Sequence, residues 1–366
     1  MKHPVDAFDL PILAVKLRTS DHADALPELE QICPRQDSSE GEYRLIYPCS
    51  ITSWRMLLTQ EASHAVTKED PVVVDDTFCE VFSAYFARVL ITAATNRWAA
   101  ESAVEAKGLG RSATLPPSEA FIEREVRTTE SPDGRPGYLL QIADRKRSEL
   151  EYWLVARIRK GVLPFPTTAV FDAFPEDRVE YSVKIESTPI QLFGDGYEEI
   201  TNAFGRRMYR IPRMDGFFYV EEEFGIGKGV SGGNFLIMAD SQGSALLASE
   251  MALDAIKAIP YVTGRVAASG SKVGGHAYGN AVATTNDVYC PCISDKVRHS
   301  QVGSDVNCVY EIIVNGLDLE HVKTAMKAGI EKARGVQGVR RITAGNYGGK
   351  LGSGRIDLRD LVGKQS

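Results

Sequence analysis

No long hydrophobic run occurs in this chain, and that absence removes two classes of protein. The longest early apolar stretch, Leu10–Val15, follows Asp6 and Asp9. It is too short to span a bilayer and is wrongly flanked for a secretory signal. A soluble, cytoplasmic protein with no membrane association is expected. Cysteine is scarce: Cys33, Cys49, Cys79, Cys290, Cys292 and Cys308 are the only six in 366 residues, too few for a disulfide scaffold. No Cys-x-x-Cys pair occurs, and Cys290-Pro-Cys292 has a one-residue gap that does not suit the common zinc pairs. The six histidines form no His-Glu-x-x-His pair. No metal is expected. A basic excess is also missing. Formal net charge is −7; residues 1–74 hold 12 acidic against 7 basic side chains, leaving 37 against 35 in the rest. That near-neutral body argues against nucleic acid as a partner.

What is present suits a large globular fold. With 43% hydrophobic residues the chain can bury a sizeable core, and 366 residues suffice for two core-sized units. Residues 34–42 read as a polar loop, and Lys68-Glu69-Asp70-Pro71 marks a break. A boundary is placed near 71–75, which leaves residues 1–74 as an N-terminal extension of unknown role.

Beyond that boundary the hydrophobic pattern becomes regular. Phe86–Ala94 reads as a strand and Asn96–Lys107 as a helix, stopped by Gly108 and Gly110. Tyr138–Ala143, a helix from Arg147 to about Lys160, and a strand over Thr167–Phe171 follow. The second half repeats the scheme: strand Asn234–Ala239, helix Ser244–Lys257, strand Gly264–Ala268, then strand Cys308–Val314, helix Leu319–Lys332, strand Val339–Ala344. Gln141-Ile142-Ala143-Asp144 and Ile237-Met238-Ala239-Asp240 each end a strand before a helix, which points to an internal duplication. Such split strand–helix–strand units favour an α/β fold of the α+β kind: two similar ferredoxin-like sandwich lobes with antiparallel sheets. The lobes are expected over residues 75–215 and 216–366.

Several segments could carry chemistry. Gly227-Lys228-Gly229-Val230-Ser231-Gly232 fits G-x-G-x-x-G, but Gly233-Asn234 leads into a strand, not the helix a dinucleotide site needs. It reads either as a flexible turn between strands or as a place where backbone approaches a ligand. Ala344–Gly354 is a glycine-rich segment after a strand. It is either a turn or a loop in which Asn346 and Lys350 donate to a polar heterocycle or carboxylate. Thr284–Pro291, with Asn286 and Asp287, and Ser269–Gly275, with Ser271 and Lys272, have the same two readings.

Glu311 is the most informative acid. It sits in Cys308-Val309-Tyr310-Glu311-Ile312-Ile313-Val314, where strand alternation puts Val309, Glu311 and Ile313 on one face. Whichever face is buried, Glu311 has apolar neighbours. A partly desolvated carboxyl has a raised pKa and suits acid–base work. The competing reading is an edge-strand Glu that reaches water.

From Asp75 to about Val362 the sequence resembles the formylmethanofuran:tetrahydromethanopterin formyltransferase family. The resemblance is carried by Asp76–Phe82, Ala87–Ala94, Pro132–Gly137, Phe193–Tyr197, Gly229–Phe235, Thr285–Asp287, Tyr289–Pro291, the segment around Glu311, and Thr343–Gly352. It implies two similar α/β lobes and a homotetramer with coenzyme sites near subunit contacts. It implies no metal and no tightly bound cofactor, with methanofuran and tetrahydromethanopterin as co-substrates. Glu311 matches the family's active-site glutamate. Gly232, Gly233, Asn234, Ser271, Lys272, Asn286, Asp287, Asn346 and Lys350 lie in matched stretches and are candidate substrate contacts. Two features depart from the pattern: residues 1–74 have no counterpart, and Cys292 stands in a variable segment. A formyltransferase/hydrolase complex is a candidate partner, and a non-catalytic pterin-binding or scaffolding subunit is the alternative role.

Overall fold

Two long strands organise the molecule, and each is long because it serves two neighbourhoods in turn. The computed structural model describes residues 72–109, 118–269 and 287–363, with the backbone alone of 272–273 and 283–284. Strand β1 (Val73–Val74) leads into β2, a 15-residue strand over Phe78–Thr92. Helix α1 (Asn96–Gly108), β3 (Glu119–Val126), β4 (Gly137–Asp144), α2 (Arg147–Arg157) and β5 (Ala169–Asp172) follow. The strands pair antiparallel in the order β3-β4-β2-β5. With partners on both edges and helices behind, the second half of β2 is buried throughout rather than alternating. Val89 and Ile91 of β2, Leu140 and Ile142 of β4, and Leu150 and Leu154 of α2 build the first core.

A meander then extends the sheet. β6 (Tyr181–Lys184) pairs with β10 below, while β7 (Glu199–Ala203), β8 (Arg206–Arg213) and β9 (Gly216–Glu221) pair in sequence, and β9 lies parallel to β5. The 17-residue β10 (Glu223–Ala239) opens the second half. After it come α3 (Gln242–Lys257), β11 (Val262–Ala267), the short pair β12 (Lys272–Val273) and β13 (Ala283–Thr284), β14 (Cys308–Gly316), α4 (Leu319–Ala333) and β15 (Val339–Thr343). Their order, β15-β10-β14-β11, is again antiparallel throughout. Reading β2 as β10, the two halves share one ferredoxin-like order, as the duplicated sequence pattern leads one to expect. Phe235, Ile237, Ile312, Val314, Val322 and Ile330 sit in the second core, between this sheet and helices α3 and α4. Ser241 and Asp318 cap those helices, each accepting from the backbone N–H three residues on.

The two halves join directly. Phe82–Ala87 of β2 pairs with Ile226–Ser231 of β10. β16 (Gly354–Asp357) then returns to pair with Phe78–Val81, and α5 (Leu358–Val362) follows it.

The glycine run differs from the turn offered for it. Gly227–Gly232 lies inside β10. A Cβ on Gly229 would stand 2.6 Å from the Gly316 carbonyl and 2.6 Å from the Phe86 ring, so this glycine serves close packing. Gly232 alone needs glycine's backbone freedom: its φ is +86°, at a register shift between Val230 and Gly233.

Candidate active site

The side of the second sheet that faces away from α3 and α4 carries the chemistry. Phe235 and Ile237 point into the second core, so Asn234 and Leu236 point the other way. Leu236 lies opposite Glu311 on one side and Thr343 on the other, which puts Glu311, Leu236 and Thr343 in one cross-strand row. Glu311 is 2% exposed. The reading of Glu311 as an acid reaching water from an edge strand therefore fails: β14 has β10 on one side and β11 on the other.

A second acid shares this face. Cys79 and Val81 of β2 belong to the second core, so Glu80 between them projects to the Glu311 side. It too is 2% exposed. Tyr347, half-buried in the loop after β15, lies close enough to feel both acids. Burial first, then the charges of Glu311 and Glu80, push its phenol up to about 12.

The glycine- and asparagine-rich segments hold this face in shape. Asn234 accepts from the Gly345 N–H at 2.8 Å and donates Nδ2 to the Gly345 carbonyl at 3.1 Å. Asn346 donates Nδ2 to the Phe78 carbonyl at 3.2 Å and accepts from the Gly348 N–H at 3.0 Å. The Gly232 N–H donates to Asn315 Oδ1 at 2.8 Å. The absent side chain of Gly233 admits Val322 of α4, whose Cγ1 would stand 2.9 Å from a Cβ there.

An open cleft of about 570 Å³ borders the row at Thr343 and Asn346, with Asp75, Tyr289 and Arg341 in its wall. Arg341 grips Asp75 through Nε at 2.7 and 2.8 Å. Asp287 is half-buried, and its Oδ1 is buried without a hydrogen-bond partner among the described residues. Lys350 is exposed. Ser271 and Asn286 lie outside the described residues, and Lys272 is described by its backbone in β12 only. The structure thus gathers Glu311, Gly232, Asn234 and Asn346 around one face, whereas Gly233 faces α4 on the other side of the sheet. Sequence reasoning passed over Glu80 and Tyr347. The signal for Glu80 is the one that found Glu311, an acid between apolar strand residues.

No group of three or more His, Cys, Asp or Glu side chains suited to a metal ion occurs among the described residues. No described helix is long and apolar enough to cross a membrane.

Two family models cover this unit end to end. That for formylmethanofuran-tetrahydromethanopterin formyltransferase matches residues 67–213, and that for the proximal lobe of the same enzyme matches 216–361. The chain belongs to this formyltransferase family. The formylmethanofuran–tetrahydromethanopterin formyltransferase of Methanocaldococcus jannaschii is 49% identical over 296 residues, covering 79% of this chain and 98% of the relative. The solved formyltransferase from Methanosarcina barkeri superposes with a TM-score of 0.74 at 46% identity, over 79% of this chain and 98% of its own. A chain of the formyltransferase/hydrolase complex of Methylorubrum extorquens, solved with methylofuran, superposes equally well, with a TM-score of 0.74 at 33% identity over 80% and 97%. Membership makes this chain a formyltransferase.

Proposed function

We propose that the chain moves a formyl group reversibly between formylmethanofuran and N5 of tetrahydromethanopterin, with Glu311 as its acid–base group. The observation that carries this reading is a carboxyl 2% exposed within the sheet, in a cross-strand row whose far end, Thr343, borders an open cleft. The donor is a formamide and the acceptor a secondary amine. N5 attacks the formyl carbon, and the C=O electrons move to oxygen. Collapse of the tetrahedral intermediate breaks the bond to the methanofuran nitrogen. That nitrogen needs a proton and N5 must lose one. Glu311 in its neutral form gives its proton to the leaving nitrogen and regains one from N5, so protons balance.

The amides of Gly232, Gly345 and Gly348 already have acceptors within the chain, which favours a side-chain donor for the oxyanion. Holding both coenzymes in line supplies much of the remaining barrier reduction. One formamide-type bond replaces another, so the reaction runs in either direction.

The same reading includes a cytoplasmic homotetramer without a tightly bound cofactor, divided into lobes at 75–215 and 216–366. Two large cores support a two-lobed reading, with Phe218, Val220, Phe224 and Ile226 in the first core and Cys79 and Val81 in the second, so the lobes interlock around that boundary. The relative solved within a formyltransferase/hydrolase complex supports such a complex as a partner assembly.

Glu311→Gln tests the assignment, because it keeps the shape and removes the proton. We expect kcat to fall by roughly 100-fold or more with little change in Tm. Wild-type kcat and KM in a folded variant would remove Glu311 from the chemistry. A raised KM for the pterin at constant kcat would demote it to an anchor.

A further inference from the structure

Gly232 marks the place where β10 changes partners. Ile226–Ser231 pairs with β2 in the first half, and from Gly233 onward the strand runs in regular register with β14 in the second. The β10–β14 register slips between Val230 and Gly233, and Gly232 takes a φ of +86° there. A glycine supplies the freedom for such a bend but no side chain to fix it.

Two asparagines fix it instead. The Gly232 N–H donates to Asn315 Oδ1 at 2.8 Å, and the Ser231 hydroxyl donates to the same oxygen at 3.2 Å. The Gly232 carbonyl accepts from Asn234 Nδ2 at 3.4 Å, and Asn234 also holds Gly345 by both ends of its amide. Asn315 is 2% exposed and stands on the Glu311 face of β14, because residues 311, 313 and 315 alternate with the core-facing Ile312 and Val314. The other end of its amide reaches out of the second half. Asn315 Nδ2 donates to Glu119 Oε2 at 2.9 Å, on β3 of the first half. Hydrogen bonds thus run from Glu119 through Asn315, Gly232 and Asn234 to the loop that begins at Gly345.

Glu119 decides which way the Asn315 amide points. A carboxylate only accepts and a backbone N–H only donates. Turned over, the amide would set its oxygen against the carboxylate and its NH2 against the Gly232 N–H, leaving a buried donor unsatisfied. The second oxygen of Glu119 lies 3.7 Å from Arg265 Nη2, with both side chains partly exposed. A pair of that length and exposure contributes little, so the bond to Asn315 is the contact that gives this acid its place.

We propose that Glu119 is a positioning residue for formyl transfer: by holding the Asn315 amide it fixes the bend at Gly232 and, through Asn234, the loop over the Glu311 face. It acts through these residues and not on the reacting atoms. A first-half side chain therefore sets the geometry of a site carried by the second half. The inference rests on the reading of Glu311 given above.

The test is steady-state kinetics on the full chain with formylmethanofuran and tetrahydromethanopterin, expressed per folded molecule, with a thermal melt for each variant. Glu119→Ala removes the acceptor. We expect kcat to fall by roughly 10-fold with KM nearly constant, because small misplacement costs rate more than binding. Asn315→Asp keeps an acceptor for Gly232 but sets a second carboxylate against Glu119, and kcat is expected to fall at least as far. Adding Glu119→Gln to Asn315→Asp restores one donor facing one acceptor, with the polarity reversed, and is expected to recover most of the lost kcat. A bond that only adds stability would lower Tm in Glu119→Ala and leave kcat per folded molecule unchanged, and that result overturns the proposal. A double variant no faster than Asn315→Asp alone overturns it equally. Should Asn315→Asp not fold, Glu119→Ala decides alone. Glu311→Gln run beside them separates two failures. If it is inactive while Glu119→Ala is fully active, only the role of Glu119 falls. If it is fully active, the reading of Glu311 falls and this inference with it.

Discussion

Asn234 closes both ends of its side-chain amide on one residue, Gly345: it accepts from the Gly345 N–H at 2.8 Å and donates to the Gly345 carbonyl at 3.1 Å. β15 ends at Thr343, and this side chain extends its hold on β10 by two residues. The loop that begins there carries Asn346 and Tyr347 over the acid face.

Asn234→Ala removes both bonds and leaves a backbone donor and acceptor buried. We expect a loss of about 2–3 kcal/mol in stability, the range for unsatisfied buried polar groups. Because Tyr347 rides on the freed loop, kcat should fall even where the variant is folded. Asn234→Asp keeps the acceptor and loses the donor, so its melt should fall between the two. An unchanged Tm for the alanine variant would show that the pair does not hold the loop.

Asp172 gives a pH signature independent of the active site. Burial pushes its carboxyl up from 3.8 to about 6, against the pull of the Phe174 and Gly225 amides, with Glu221 adding to the rise. Between those two values the native state holds a proton that the unfolded chain has lost. Stability from this group is therefore highest below about 4 and declines as pH rises to about 6. Asp172→Asn keeps an acceptor for the Phe174 N–H, which now lies 3.2 Å from Oδ1. We expect it to melt higher than wild type at pH 7, by an amount equivalent to roughly 1–3 kcal/mol, with the gap closing near pH 4. Parallel melting curves across that range would contradict the shift.

The four long helices were legible because each shows one apolar stripe against a charged face; Asn96–Lys107 and Leu319–Lys332 fall within a residue or two of α1 and α4. β3 and the β6–β9 meander were not. Their strands carry charges on exposed faces, such as Arg210 against Glu199 across β7 and β8, and so show no apolar alternation. Glu311 was legible since its strand was recognised. Glu80 was not, because the strand expected to begin at Phe86 begins at Phe78. The glycines of β10 read equally as a turn or as a backbone approach to a ligand, because the groups that exclude their side chains, Phe86 and Gly316, are distant in sequence. A missing side chain looks the same whether it permits a turn or a close approach.

The last prediction concerns where the transferring unit starts. The family match begins at residue 67, and relatives matched over 98% of their own length cover 79% of this chain. Structure gives a sharper limit. β1 pairs with β15 at Val73 and Val74, the Asp75 N–H donates to the Ile342 carbonyl at 2.9 Å, and Arg341 Nη2 meets Asp75 Oδ2 at 2.6 Å. A chain beginning at residue 67 keeps all of these, whereas one beginning at residue 77 loses them and one wall of the cleft. We expect the first to match the full chain in Tm and, within about twofold, in kcat, because the family match begins at residue 67 and tolerance to truncation concentrates at chain termini. The second should melt lower and turn over more slowly. Melts and steady-state kinetics on the two chains check this. An insoluble or inactive protein from the first would make residues 1–66 part of the working fold, and a fully active second would remove β1 and Asp75 from it.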